Sequence, residues 1–346
     1  MSVPLPKIGT LSPGPRDAIT DVAGVSVGHD TLNEGAVQTG VTVLRPHAGD
    51  PYRDRVPAAA VVLNGFGKSI GLVQVEELGV LETPIALTNT YSVAAVAQAQ
   101  IRHCIAANPD SGRGLPTVNP LVFECNDGFL NDIQKMAVTQ QHYLQALAAA
   151  GPDFECGAVG AGRGMSSFEL KGGIGTASRR VPVGAATYTL GALVLANFGK
   201  LPQLRIDGRA VGARLAAQRA QAQADRDPEQ GSIILLLATD APLDARQLRR
   251  LALRAGAGLA RTGSVFGHGS GDIALAFSTA YTVPLEPERP MPAMAMLHDA
   301  LLDGLFQAAA DSCEQAILHA LWQARTVTGR DGHQRQALSD LLESTP

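Results

Sequence analysis

Gly231-Ser232-Ile233-Ile234-Leu235-Leu236-Leu237-Ala238-Thr239-Asp240-Ala241-Pro242-Leu243 is the stretch from which the rest of the chain is best read. From Ile233 to Ala238 it is unbroken, apolar and rich in branched side chains, and Thr239, Asp240 and Pro242 close it. A strand with one wet face alternates polar and apolar residues, so this run is a strand buried on both faces. Ser232 stands at its head. Upstream, Gln221 to Gln230 is polar and charged with Pro228 inside it, the composition of an exposed, mobile connection. The chain passes from loose loop to buried strand across the Gly231-Ser232 bond.

Outward from that boundary, the 346 residues are 45% hydrophobic and 17% charged, enough to bury a large core, with no fixed-period repeat and no linker between independent halves. A single α/β domain over residues 1–346 is expected. Glycine (37) and proline (21) against 4% aromatics imply many tight turns and a core of Ala, Val, Leu and Ile. A net charge of -4 without a basic run argues against a nucleic-acid partner. No apolar run reaches the roughly 18 to 20 residues a membrane span needs, and Met1 to Asp17 has no signal-peptide pattern, so a cytoplasmic protein without membrane contact is expected. Cys104, Cys125, Cys156 and Cys313 are spread singly, and the histidines form no paired spacing. Neither a disulfide framework nor a metal site is indicated, and no cofactor is expected.

The remaining elements fall on both sides of the boundary. Strands are expected within 18–29, at 41–44, 58–63, 84–87, 121–123, across 180–195 and at 273–279. Helices are expected at 69–81, at 93–107 with Ser92 as cap, at 132–150, from Asp244 to 259, and over 293–324. Arg209 to Asp225 is a helical arm or a linker. Gly160-x-Gly162-x-Gly164 lacks the spacing of a dinucleotide fingerprint, and no P-loop occurs, so these glycines and Gly172-Gly173-Ile174-Gly175 mark close backbone packing or turns.

Serine chemistry has two candidate centres. His268-Gly269-Ser270-Gly271-Asp272 fails the Gly-x-Ser-x-Gly elbow at both outer positions. The opening stretch fits another solution. If the Gly231-Ser232 bond is cut, Ser232 becomes an N-terminus whose hydroxyl is the nucleophile and whose own α-amine, with a pKa near about 8, accepts the proton. The same hydroxyl can make the cut by attacking the preceding carbonyl, and glycine at 231 admits the backbone that attack needs.

Several blocks, in order along most of the chain, resemble the DmpA family of self-processing N-terminal-nucleophile serine aminopeptidases. They are Ile19-Thr20-Asp21-Val22, Leu63-Asn64-Gly65-Phe66-Gly67, Glu124 with Asp127-Gly128-Phe129-Leu130-Asn131-Asp132, Ala196-Asn197-Phe198-Gly199, Gly231-Ser232-Ile233-Ile234 and Gly269-Ser270-Gly271-Asp272. That family includes L-aminopeptidase/D-Ala-esterase and the β-peptidyl aminopeptidases. The resemblance implies a four-layer α/β/β/α sandwich of the DmpA/ornithine acetyltransferase type, cut into 1–231 and 232–346 and assembled as a homo-oligomer, commonly a tetramer. It also implies hydrolysis of short peptides, amides or esters bearing a free N-terminal amine, through an acyl-enzyme on Ser232 and without a cofactor.

By the same resemblance, Ser270 would orient the nucleophile and relay a proton, and Asp272 would support Ser270 where β-peptidyl members carry Glu. Asn197 would donate to the oxyanion. Glu124 would hold the substrate ammonium, and Asn64 would stand at the pocket wall or serve only the structure of its own turn. Members commonly have Tyr two residues after the Glu, where this chain has Asn126. Either Asn126 replaces that hydrogen bond, or a residue such as Tyr91 fills the space, or the substrate range differs. Two rivals share the fold: an acyltransferase of the ornithine acetyltransferase type, whose nucleophile is threonine, and a non-catalytic small-molecule-binding protein. Preference between α- and β-amino acids is left open.

Overall fold

The apolar run lies inside a strand, Ser232–Thr239, all of whose residues are buried. The computed structural model describes residues 5–219 and 231–343, so the connection expected at 221–230 lies outside the described residues. In chain order the principal strands are β1 (Ser26–Glu34), β2 (Val37–Arg45), β3 (Asp54–Gly65), β4 (Ile85–Asn89), β5 (Val122–Cys125), β6 (Gly173–Val183), β7 (Ala186–Asn197), β8 (Ser232–Thr239) and β9 (Gly271–Ser278). The helices are α1 (Leu72–Leu78), α2 (Val93–Ala107), α3 (Gln140–Ala148), α4 (Val211–Arg219), α5 (Ala245–Arg261), α6 (Asp303–Trp322) and α7 (Leu338–Glu343).

Two sheets lie face to face. One has the order β1-β2-β4-β5, with β4 and β5 parallel and the other pairs antiparallel. The other has the order β3-β9-β8-β7-β6, in which only β8 and β9 run parallel. Residues i and i+2 of a strand share a face, so β8 sends Ile234 and Leu236 one way and Ile233, Leu235 and Leu237 the other. The first set meets Val27, Leu44, Leu87 and Phe123 of the opposite sheet. The second meets Leu248, Leu251 and Leu259 of α5 and Ala316 and Ile317 of α6. Val41, Val43 and Val122, on the far side of the first sheet, pack on Val96 of α2 and on Tyr143 and Ala146 of α3. The result is a four-layer α/β/β/α sandwich. Both faces of β8 are covered, which is why its sequence shows no alternation, and each large side chain buried there contributes about 1.5–3 kcal/mol.

The glycine-dense segments do serve close packing. A Cβ on Gly175 of β6 would lie 1.9 Å from the Ala316 carbonyl oxygen and 2.7 Å from the Ala320 nitrogen, both backbone atoms of α6. Neither can yield without moving the helix. Gly175→Ala is therefore expected to destabilise the fold by at least about 1–3 kcal/mol, read as a lowered midpoint of thermal or urea unfolding.

Several boundaries differ from the sequence-based expectations for definable reasons. Asn89 accepts from the Tyr91 and Ser92 nitrogens, both at 3.1 Å, and closes a 3-10 turn that feeds α2. Ser92, already in helical backbone geometry, makes no side-chain cap. The helix expected at 69–81 is confined to α1 between Gly71 and Gly79, both left-handed. The one expected at 132–150 begins only at Gln140. The last long helix starts at Asp303 rather than 293. Pro290 and Pro292 precede it, and the Leu297 N–H is given to the Pro242 carbonyl at 3.1 Å instead of to a helical turn. The segment 18–29 opens with a 3-10 turn, Ile19–Asp21, and becomes strand only at Ser26. Asp244 does cap α5, accepting from the Gln247 nitrogen at 2.7 Å. Among the described residues no helix is long and apolar enough to cross a membrane.

Candidate active site

Strand register gathers residues that are far apart in sequence. Asn197 at the end of β7 pairs with Ser232 at the start of β8, Ser232 pairs with Gly271 at the start of β9, and Gly271 pairs with Gly65 at the end of β3. Asp272 and Asn64 form the next pair on the same ladder. Asn197, Ser232, Asp272 and Asn64 thus sit at one end of four adjacent strands. The opposite sheet delivers Glu124 from β5, paired with Thr88 of β4. The Asn197 amide nitrogen donates to the Asn126 carbonyl at 3.0 Å and ties the two sheets together at this end.

Ser232 is buried, and its hydroxyl donates to the carbonyl oxygen of Gly231 at 2.8 Å. The Gly271 N–H reaches both atoms, at 3.1 Å from Ser232 Oγ and 3.3 Å from the Gly231 oxygen. At Gly231 a Cβ would come within 2.6 Å of the Asn197 oxygen and the Phe198 Cα, so no larger residue fits without displacing that turn. One strand over, the Ser270 hydroxyl donates to Asp272 Oδ1 at 2.5 Å, both side chains being buried. The shorter acid therefore reaches its serine.

The other expected residues are held as follows. Asn197 is fixed at both ends of its amide, since Oδ1 also accepts from the Ser166 nitrogen at 2.8 Å. Glu124, 3% exposed, accepts the Lys68 N–H on Oε1 at 2.7 Å and the Thr90 hydroxyl on Oε2. Asn126 is exposed and closes its own turn by accepting from the Gly128 nitrogen at 2.9 Å. Tyr91 is exposed as well. The Asn64 amide donates to the carbonyls of Gly267 at 3.0 Å, His268 at 3.3 Å and Ser270, strapping the loop that carries Ser270.

A cavity of about 530 Å³ connects Ser232 and Gly231 with Glu124, Asn126, Thr90 and Lys68, and its remaining wall is Phe66 and the 267–269 loop. Asn64, Asn197, Ser270 and Asp272 are not among its lining residues. Two of them hold residues that do line it, Asn64 through the Gly267 and His268 carbonyls and Asn197 through the Asn126 carbonyl. Burial pushes the Cys125 thiol far up, with the Glu124 and Asp272 charges adding to the effect. That thiol has no nucleophilic character at neutral pH. Burial also raises the Asp127 carboxyl to about 7, although Asn131 donates to it at 3.0 Å.

Three groups here escaped sequence reasoning: the N–H groups of Gly271 and Lys68 and the Thr90 hydroxyl. The first two are backbone donors, which every residue type but proline supplies, and no residue pattern marks them. Thr90 follows directly on the strand end at Asn89, and only the parallel pairing of β4 with β5 shows that it faces Glu124.

Residues 17–335 match the sequence profile of Peptidase family S58. The chain is 38% identical over 338 residues to a β-peptidyl aminopeptidase of Sphingosinicella xenopeptidilytica, a span covering 92% of this chain and 83% of that protein. Among solved structures it is similar to a Pyrococcus horikoshii protein (47% identity, TM-score 0.91, 97% of this chain and 95% of that one). It is also similar to the L-aminopeptidase D-Ala-esterase/amidase of Ochrobactrum anthropi (35% identity, TM-score 0.88, 98% and 96% covered), described as a prototype of the serine aminopeptidases and a variant of the Ntn hydrolase fold.

Proposed function

Since the chain belongs to peptidase family S58 and is a serine aminopeptidase, we propose that it makes its own nucleophile by cutting the Gly231-Ser232 bond. The observation that carries this reading is the Ser232 hydroxyl lying on the carbonyl of the residue before it, with the Gly271 N–H on both oxygens. Loss of the hydroxyl proton and a small rotation bring Oγ onto the Gly231 carbonyl carbon. The C–O bond forms, the C–N bond breaks, and nitrogen takes up the proton to become the α-amine of Ser232. The carbonyl oxygen is negative in between, and Gly271 N–H is the donor that meets it. Water then hydrolyses the ester, releasing Gly231 as a carboxylate and leaving Ser232 free at the head of β8.

In the cut enzyme the α-amine of Ser232, with a pKa near about 8, takes the proton from the hydroxyl as Oγ attacks the substrate carbonyl. Ser270, anchored on Asp272, orients that amine and passes the proton to the leaving group. Asn197 uses the amide hydrogen not given to Asn126 as an oxyanion donor, together with Gly271 N–H. Glu124 receives the substrate ammonium on an anion already oriented by Lys68 N–H and Thr90. Positioning such a charge in advance costs no reorganisation when substrate arrives. The substrates of this reading are short peptides, amides or esters with a free N-terminal amine. Asn64, through its amide, holds the Ser270 loop.

The test is intact-mass analysis of the purified protein alongside hydrolysis of an aminoacyl p-nitroanilide. Two fragments, one beginning at Ser232, are expected in active protein, and activity in an uncut chain would refute the mechanism. The reading also includes a cytoplasmic homo-oligomer, a tetramer by the family resemblance, which light scattering of the purified protein and cell fractionation would check.

A further inference from the structure

The cavity is lined by a lysine, Lys68, whose side chain the reaction above does not use. Lys68 gives its N–H to Glu124, and its ammonium lies 4.3 Å from the centre of the Phe66 ring, both residues being exposed at the cavity's rim. That ring in turn is 6.1 Å from the His268 ring, and Phe66, Lys68, His268 and Glu124 all line the same space. Among the described residues no carboxylate forms an ion pair with the Lys68 ammonium; a ring face is what it rests on. An aromatic face is a weaker partner for a cation than a carboxylate.

The cavity thus presents one fixed anion, already assigned to the substrate amine, and one cation beside it with capacity for an anion. A substrate carrying only an ammonium would bring a second positive charge into a space that contains Lys68. One that also carries a carboxylate would leave both charges matched. We propose that Lys68 makes this enzyme select substrates that carry a carboxylate in addition to the free amine. This rests on the aminopeptidase reading and on Glu124 as the amine's partner. Two sources of the carboxylate fit: the residue that bears the amine, as in an aspartyl group, or the leaving residue with a free C-terminus. The backbone of Lys68 is held on Glu124 while its ammonium lies on the Phe66 ring, so the two sources are told apart by experiment.

Three substrates separate these sources: aminoacyl-glycinamide with no carboxylate, aminoacyl-glycine with one on the leaving residue, and aspartyl-glycinamide with one on the amine-bearing residue. They are used in whichever of the α- or β-linked series the wild type cleaves, and kcat/KM is measured for wild type, Lys68→Met and Lys68→Arg. Wild type is expected to prefer at least one carboxylate substrate over the uncharged one by roughly five-fold or more, a preference that falls as salt is raised. Lys68→Met should bring that ratio to near one, and Lys68→Arg should keep it. Because each ratio is taken within one protein, general loss of fold or activity cancels. No preference in wild type, or the same ratio in wild type and Lys68→Met, overturns the proposal while leaving the aminopeptidase reading intact. Failure to cleave any aminoacyl amide in either series overturns both.

Discussion

Ser232→Ala is expected to yield one uncut chain of 36.0 kDa in which aminopeptidase activity is lost. Alanine keeps the strand, since position 232 is buried and its backbone pairs with Asn197 and Gly271. What disappears is the hydroxyl placed on the Gly231 carbonyl, the Oγ at 2.8 Å, while the Gly271 N–H at 3.3 Å is a donor and not a nucleophile. The fall in kcat/KM should be about 10⁴-fold or more, the usual loss when a nucleophile is removed, because nothing else at the site replaces it. Cys125 is nearby in sequence to Glu124 but has a thiol held neutral by burial. Intact-mass analysis and a p-nitroanilide assay read the two consequences separately. A cut Ser232→Ala chain would show that another group performs the processing, and Ser232 would then be withdrawn as its agent.

Glu124→Gln should retain the fold but lose kcat/KM by roughly 30- to 5,000-fold, the range expected when a buried partner of a charge, worth about 2–5 kcal/mol, is neutralised. Glutamine matches the size of the side chain and can still accept from the Lys68 N–H, while its amide can donate to Thr90. Only the charge is removed. The informative control is a substrate whose amine is acetylated. Wild type should reject it strongly, and the variant should discriminate far less between the free and the acetylated amine. If Glu124→Gln kept wild-type activity and wild-type discrimination, the ammonium would have to be held elsewhere, and Asn126 on the same cavity wall would be the next residue to test.

The limits of sequence reading follow from how local each signal is. The strand at 232–239 was legible because burial on both faces writes itself as an unbroken apolar run, and Asp244 was legible because capping acts over three residues. The four-layer arrangement came from resemblance alone, since nothing in a strand's composition says which strand lies beside it. Ser92 and Asn89 show the same limit at short range. Both are good capping residues, and only backbone geometry decides which one is used. At the site, Ser232, Ser270, Asp272, Asn197 and Glu124 could be named from blocks that resemble a family. Gly271, Lys68 and Thr90 could not, because their roles belong to a backbone hydrogen or to a register between strands dozens of residues apart. Asn64 was named, yet its amide faces three loop carbonyls, an orientation that no sequence pattern carries.

The order β3-β9-β8-β7 has a consequence for how a divided version of this protein would have to be made. The two central strands lie after residue 231 and both flanking strands before it. A chain nicked at that point would remain interlocked, because either piece could leave only by opening hydrogen-bond ladders on two sides at once. Its denaturation should therefore follow a single cooperative transition. Synthesised from separate genes, the shorter piece would expose two long, apolar, unpaired strand edges until its counterpart arrived, the kind of edge that aggregates. Synthesis as one polypeptide, divided only once folded, keeps those edges covered throughout.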